Sequence, residues 1–451
     1  ARNEYPKAIA AGLEICGRLD MPLPSSPTVV DIVWNIGHVL WKLRGRTDED
    51  LVSLPRMRDE RASRLIRIMT SMNSGAYVTR PYLWPILISR TFILTLKHGR
   101  GPTHALRFAW FATALCAVGA YQTAVRFSRL STRLMDAPDG AAFLPKLHHA
   151  MGQFLAHWRE PMARTVEWCR AGVTMGERVE DAEFTGYCHM GWAKASLEAG
   201  QPLKEVRAIC TGALETIRAA GQRGTEVMHQ PTLQAVEVLM GLKPFPEELM
   251  LEDEAAVARL SNAQNGFRLL DKARLLCFFR RPVSPAFGSD LLSVTTYGLP
   301  ATFYFSIAHY FACLGWLLHA RSAEASVGSK IASMTRVYFV RRKLRRWART
   351  CPQNFEHRAL LVDAEWLRTL GRTRKAIRRY EEAIAAAREN GYVQDAALAS
   401  ELLSEHLIER GREMEARPNL VAAAEGYRAW GAEAKVKDVE RRLDRDAVRD
   451  H

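Results

Sequence analysis

The chain has 451 residues, 48% apolar and 25% charged, the proportions of an ordinary globular protein, so disordered, collagenous and small disulfide-stapled classes are excluded. Lys and Arg outnumber Asp and Glu by 63 to 49, a net charge of +14. The 29 Gly and 20 Pro leave long tracts rich in Ala, Leu, Arg and Glu, which favour helix over strand.

The chain opens on Ala1 and enters a helical pattern at once. No signal peptide is apparent, and the start reads as a cut from a longer or processed protein. Residues 29–43, 56–74 and 83–97 carry helical periodicity with irregular turn chemistry between them. They define an irregular helical region over 1–100.

From there a repeat emerges. GAYQTAVRFSRLS places a turn at Gly119, then the small residues Ala124, Ser128 and Ser131. Further turns fall near Arg159, Gly200, Gly241, Arg281 and Arg321, each 40 or 41 residues after the last. This is the pattern of a tetratricopeptide-like (TPR-like) helix pair, in which small residues let two backbones approach and a large one fills the gap. A step of about 40 exceeds the consensus of about 34, so the helices are long. The central repeats span 101–350.

Segment 299–320 holds no Asp, Glu, Lys or Arg and is long enough to cross a bilayer. Amphipathic repeats on both sides favour burial within the array instead, with Pro300 in the first turn. The interval from Arg321 to Gly371 is 50, which a long basic helix over 333–350 would absorb. The last repeats, 351–451, are the clearest: Gly371 with Ala376, Tyr380 and Ala383, then Gly411 with Ala416, Leu420 and Ala423. The expected fold is all-α, a right-handed solenoid of TPR-like helix pairs.

Two windows lack acidic residues, 61–135 with eleven basic residues and 325–355 with eight. A basic face suits acidic proteins, phosphates or anionic lipids; alternatively these residues form a solvated flank balanced by acids such as Glu247, Glu248, Glu252, Asp253 and Glu254. In the second window Arg341, Arg342, Arg345, Arg346 and Arg349 lie largely opposite the apolar face of one helix. Aromatic interleaving is thin and no nucleic-acid reading module is present, which argues against a nucleic-acid partner.

No phosphate-binding loop, nucleophile elbow, zincin or kinase signature occurs. His148, His149 and His157 lie on one helix with no acid at ligand spacing, so no metal and no cofactor is expected. Trp158, Tyr187, Trp192, Tyr297, Tyr304 and Tyr310 are candidates for a concave groove, or else core packing. Cys16, Cys116, Cys169, Cys188, Cys210, Cys277, Cys313 and Cys351 form no CxxC pair and read as reduced, buried thiols of a cytoplasmic protein.

The stretches CPQNF, ARENGY and YRAWGA, which no generic repeat requires, resemble the end of the helical-repeat region of very large signalling proteins of bacteria and fungi. NEYPKAIAAGLEICGRLDMPLP, FLAHWREP and TGYCHMGWAKASLEAGQPL fit the same region in order. In that family a Ser/Thr kinase-like domain and an AAA (STAND) ATPase precede the repeats, and GAF and sensor histidine kinase modules follow. The basic windows and the Pro-rich RRPVSPAFGSDL depart from it.

The resemblance implies a non-catalytic interaction and sensory scaffold, whose groove takes a peptide, a protein partner or a small ligand and couples it to attached domains. Charge favours an acidic partner. The alternative is a small-molecule enzyme or binding protein on the same superhelix, with His157, His189 or His309 as acid/base.

Overall fold

The computed structural model describes residues 5–245, 257–281 and 283–449, so the acidic run from Glu247 to Glu254 lies outside it. Among the described residues there are 22 α-helices and no strand, only an isolated bridge between Arg56 and Arg100. The N-terminal third holds α1 (Tyr5–Arg18), α2 (Val29–Lys42), α3 (Asp48–Val52), α4 (Glu60–Ser71), α5 (Asn73–Thr79), α6 (Leu83–His98), α7 (His104–Ala117), α8 (Tyr121–Arg133) and α9 (Leu144–Ala150). A π turn and a 3-10 turn carry α9 on to Trp158.

The middle comprises α10 (Met162–Arg178), α11 (Ala182–Glu198), α12 (Leu203–Ala219), α13 (Arg223–Leu239), α14 (Asn262–Phe278), α15 (Pro285–Gly298), α16 (Phe303–Arg321) and α17 (Val327–Thr350). The chain then runs through α18 (Pro352–Thr369), α19 (Thr373–Glu389), α20 (Val393–Ile408), α21 (Glu413–Trp430) and α22 (Glu433–Arg449). From α9 onward each helix packs against the next, whereas in the N-terminal region α1 packs on α5 and α2 on α6; the succession is that of an all-α solenoid.

Glycine sets the step. Gly371, Gly391, Gly411 and Gly431 all sit at φ between 68° and 87°, a left-handed conformation in which a Cβ is strained. After each, the next amide reaches back five residues, as from Tyr392 to the Ala387 carbonyl at 2.8 Å, closing the helix end. Gly200, Gly221 and Gly241 do the same in the middle. At the turn expected near Arg281, Arg280 takes the left-handed position at φ 57°. Near Arg159 and Arg321 the chain turns without one, through a 3-10 turn and an extended Ser322.

Ala376, Tyr380, Ala383, Ala416, Leu420 and Ala423 are all buried between helices, as the small-large-small pattern requires. The charge-free segment forms α16, wrapped by α14, α15, α17 and α18. Pro300 precedes this helix, which Thr302 caps instead. No helix among the described residues is long and apolar enough to cross a membrane.

The array winds back on itself. Side chains and carbonyls meet across 178, 223, 227, 197 and 196 residues: Tyr5 to Glu183, Tyr77 to Pro300, Arg346 to Gly119, Asn354 to His157 and Gln394 to Glu198. These separations correspond to about five repeat steps, so successive superhelical turns rest on one another. The space along the seam is filled by protein.

Candidate functional site

What fills it is charge. Glu198, Asp271 and Asp395 face Lys194, Arg274 and Arg358, all six buried. Arg358 reaches Glu198 at 2.9 Å and Asp395 at 3.0 Å, and Arg274 also bonds Glu198. Lys194 lies 3.7 Å from Asp271. Three carboxylates against three cations leave no net buried charge, the condition under which such a cluster is tolerated. Burial alone would raise the Asp395 carboxyl; Arg358 and His357 outweigh it and hold the group well below the usual range. A second cluster repeats the device: Glu365 meets Arg321 and Arg368, and Glu401 meets Lys435 at 2.8 Å.

The aromatics expected to line a concave groove divide. Trp158, Tyr304 and Tyr310 are buried inside the seam, with Trp158 packed against Trp347 and Phe355. Tyr297 is exposed, Trp192 is half-buried beside His189, and Tyr187 lines a cavity with Tyr77, Trp110, His149 and Phe267. That cavity measures 90 Å³, small against the roughly 300 Å³ that an organic ligand needs.

The three histidines are buried and separate. His157 is packed among Trp158, Phe303 and Phe355 with neither ring nitrogen bonded. Neither nitrogen of His189 is bonded either, and His309 bonds only the Phe305 carbonyl, at 2.7 Å. Burial pushes His157 and His309 down to about 3 and lowers His189. Each is neutral near pH 7 with no charged partner in bonding reach, so the arrangement offers no acid/base pair. His357 does bond Asp395, at 2.9 Å, yet its ring stacks on Tyr392 and its other nitrogen is unbonded, leaving no nucleophile in a triad. No group of three His, Cys, Asp or Glu side chains among the described residues is placed to hold a metal.

The basic patch is also divided. Arg341 and Arg345 both reach Asp363, at 3.3 and 2.7 Å. Arg346 bonds the Gly119 carbonyl at 3.1 Å. Arg342 and Arg349 face solvent.

One large external concavity remains, a groove of 890 Å³ beside α17. That helix has 24 residues where α18 has 18, and its buried positions begin only at Ser333. Its first turns therefore project past the end of α18. Ile331, Met334 and Tyr338 form one wall, Trp366 and Leu370 the other, with Lys330 and Arg410 at the edge. Ile331 is 63% exposed and the adjoining Phe339 62%. Arg341 lies 4.5 Å over the Trp366 ring, fixing that wall. The 50-residue interval was the sequence signal for this helix, expected over 333–350; the helix starts earlier, at Val327, so Ile331 fell outside the expected element. A second apolar face, Val30, Val33, Trp34 and Trp41, is exposed on α2.

No protein-family model matches the chain, and no curated protein matches it either.

Proposed function

We propose that the chain is a non-catalytic interaction module that captures an amphipathic helix of a partner protein in the groove beside α17. The observation that carries this reading is the stripe Ile331, Met334 and Tyr338, at the i, i+3, i+7 spacing by which helices are held in apolar grooves. Lys330, Arg342 and Arg410 around it favour acidic residues flanking the partner's apolar face. Exposed apolar patches of this extent mark interaction sites more often than chance. In the setting that the resemblance of CPQNF, ARENGY and YRAWGA implies, capture would be passed to attached kinase-like, ATPase or histidine kinase domains.

The alternative, catalysis by His157, His189 or His309, gains no support from rings that are buried, neutral and mutually unconnected.

A selection from a displayed library of 20-residue peptides tests the proposal. Enriched sequences should show apolar residues at i, i+3 or i+4, and i+7 flanked by Asp and Glu. Their binding should fall at least tenfold with Ile331→Asp or Phe339→Asp and be unchanged by Trp34→Asp. Enriched peptides indifferent to the groove variants would refute the reading.

A further inference from the structure

The first acid-free window, 61–135, contributes about half the lining of a second cavity of 380 Å³ at the turn between α6 and α7. The turn is built on Gly99, at φ 99°, where a Cβ would stand 2.2 Å from the Pro55 carbonyl oxygen. Only glycine lets the chain press so close. The contact is then locked by two backbone hydrogen bonds of 2.8 Å, Arg100 amide to Pro55 carbonyl and Met57 amide to Arg100 carbonyl. This bridge pairs Arg56 with Arg100 at the cavity wall, where both side chains are exposed.

Behind the wall lies Arg107, 5% exposed. One guanidinium nitrogen donates to the Thr103 hydroxyl, while Nε and Nη2 are buried without a partner. No carboxylate pairs with it among the described residues, unlike the arginines of the seam. A Cβ on Gly101, in the wall, would be 3.8 Å from Nη2, so this charge lies directly behind a wall residue that has no side chain. His104 lines the cavity, is 4% exposed, and neither ring nitrogen makes a well-formed hydrogen bond, with only a loose contact to the Leu51 backbone. Burial lowers Arg107 to about 10; burial and then the neighbouring Arg107 charge lower His104 to about 3, against the opposing contact with the Leu51 backbone. Helix α7 opens here with no side-chain cap and no acid in its first turn, leaving its positive end uncompensated.

An unpaired buried guanidinium is costly. Arg56 and Arg100 in the wall and Arg107 behind it favour negative charge in the cavity, His104 is neutral and can donate a hydrogen bond, and the exposed Asp139 is the opposing group. The remaining wall is apolar: Leu106, Leu134, Met135, Phe143 and Leu147. The volume lies in the range of small-ligand sites.

We propose that this cavity binds a phosphate monoester with an apolar or aromatic body, the phosphate meeting Arg56, Arg100 and His104 over Arg107, the body against Met135 and Phe143. Arginine forks match phosphate oxygens in pairs, and a dianion offsets more of the clustered positive charge than a carboxylate does. This site is independent of the groove beside α17.

Calorimetric titration of the full chain with phenyl phosphate, inorganic phosphate and benzoate tests it. Phenyl phosphate should bind one site at least tenfold more tightly than either of the others. Arg100→Gln, at an exposed position, should weaken it about tenfold, and Ala105→Phe, which fills the cavity without altering charge, should abolish it. Ile331→Asp should leave it intact. Absence of saturable binding, equal binding of all three probes, or binding that survives both Arg100→Gln and Ala105→Phe would overturn the assignment.

Discussion

The side-chain amide of Asn354 donates to the backbone carbonyl of His157 at 2.7 Å, joining residues 197 positions apart. The same amide reaches the Glu160 carbonyl, also at 2.7 Å, and the Tyr392 hydroxyl donates to Asn354 Oδ1 at 2.6 Å. One buried side chain thus ties α18 to the end of the π-turned segment and to α20. Asn354→Leu strands two carbonyls and a hydroxyl, at about 1 to 3 kcal/mol for each buried group left unsatisfied. Urea denaturation should show a loss of about 3 kcal/mol or more.

Acid should unfold the protein early. His104, His149, His157, His229 and His309 are held at about 3 in the fold, chiefly by burial, against about 6.5 in an unfolded chain. Between those values only the unfolded state takes up protons, so stability falls as pH falls below about 6.5. Each histidine costs of order 2 kcal/mol by pH 5. Glu365 and Asp395, held low by arginines, withdraw their own contribution only below about pH 4. Tryptophan fluorescence against pH should therefore give a midpoint above pH 4, and His157→Phe should move it down. A fold intact at pH 3 would contradict this.

All eight cysteines are buried and unpaired. Burial raises the thiols, Cys351 to about 11 and Cys210 to about 12, and the thiol form is a poor nucleophile. A thiol-exchange reagent should find no reactive cysteine in the native protein and eight in denaturant.

The helix ends give a signed pair. Gly371→Ala places a Cβ at φ 68° and should cost about 1 kcal/mol. Glu180→Gly relieves an exposed residue already at φ 56° and should stabilise by up to about 1 kcal/mol. Denaturation midpoints moving in the same direction for both would refute this account of the turns.

The repeat was legible because it rests on local chemistry: a glycine that closes a helix, and Ala376, Tyr380 and Ala383 at fixed offsets after it. The interval of 50 in a step of 40 signalled an extra-long helix but placed it at 333–350; α17 begins six residues earlier, at Val327, where Ser326 caps it. The seam was not. Glu198 and Arg358 look like solvated face charges in their own helices, and only a contact 160 residues away buries them. Closure of the superhelix also explains why Trp158, Tyr304 and Tyr310 are interior and why the accessible groove lies outside, where α17 outruns its neighbour.

The most direct measurement is amide hydrogen exchange of the full chain with and without a library-selected helical peptide. The account predicts added protection confined to residues 327–342 and 366–370. Protection instead along the seam, at 157–160, 194–198 and 354–358, would mean that the turns part to admit a ligand and would contradict it.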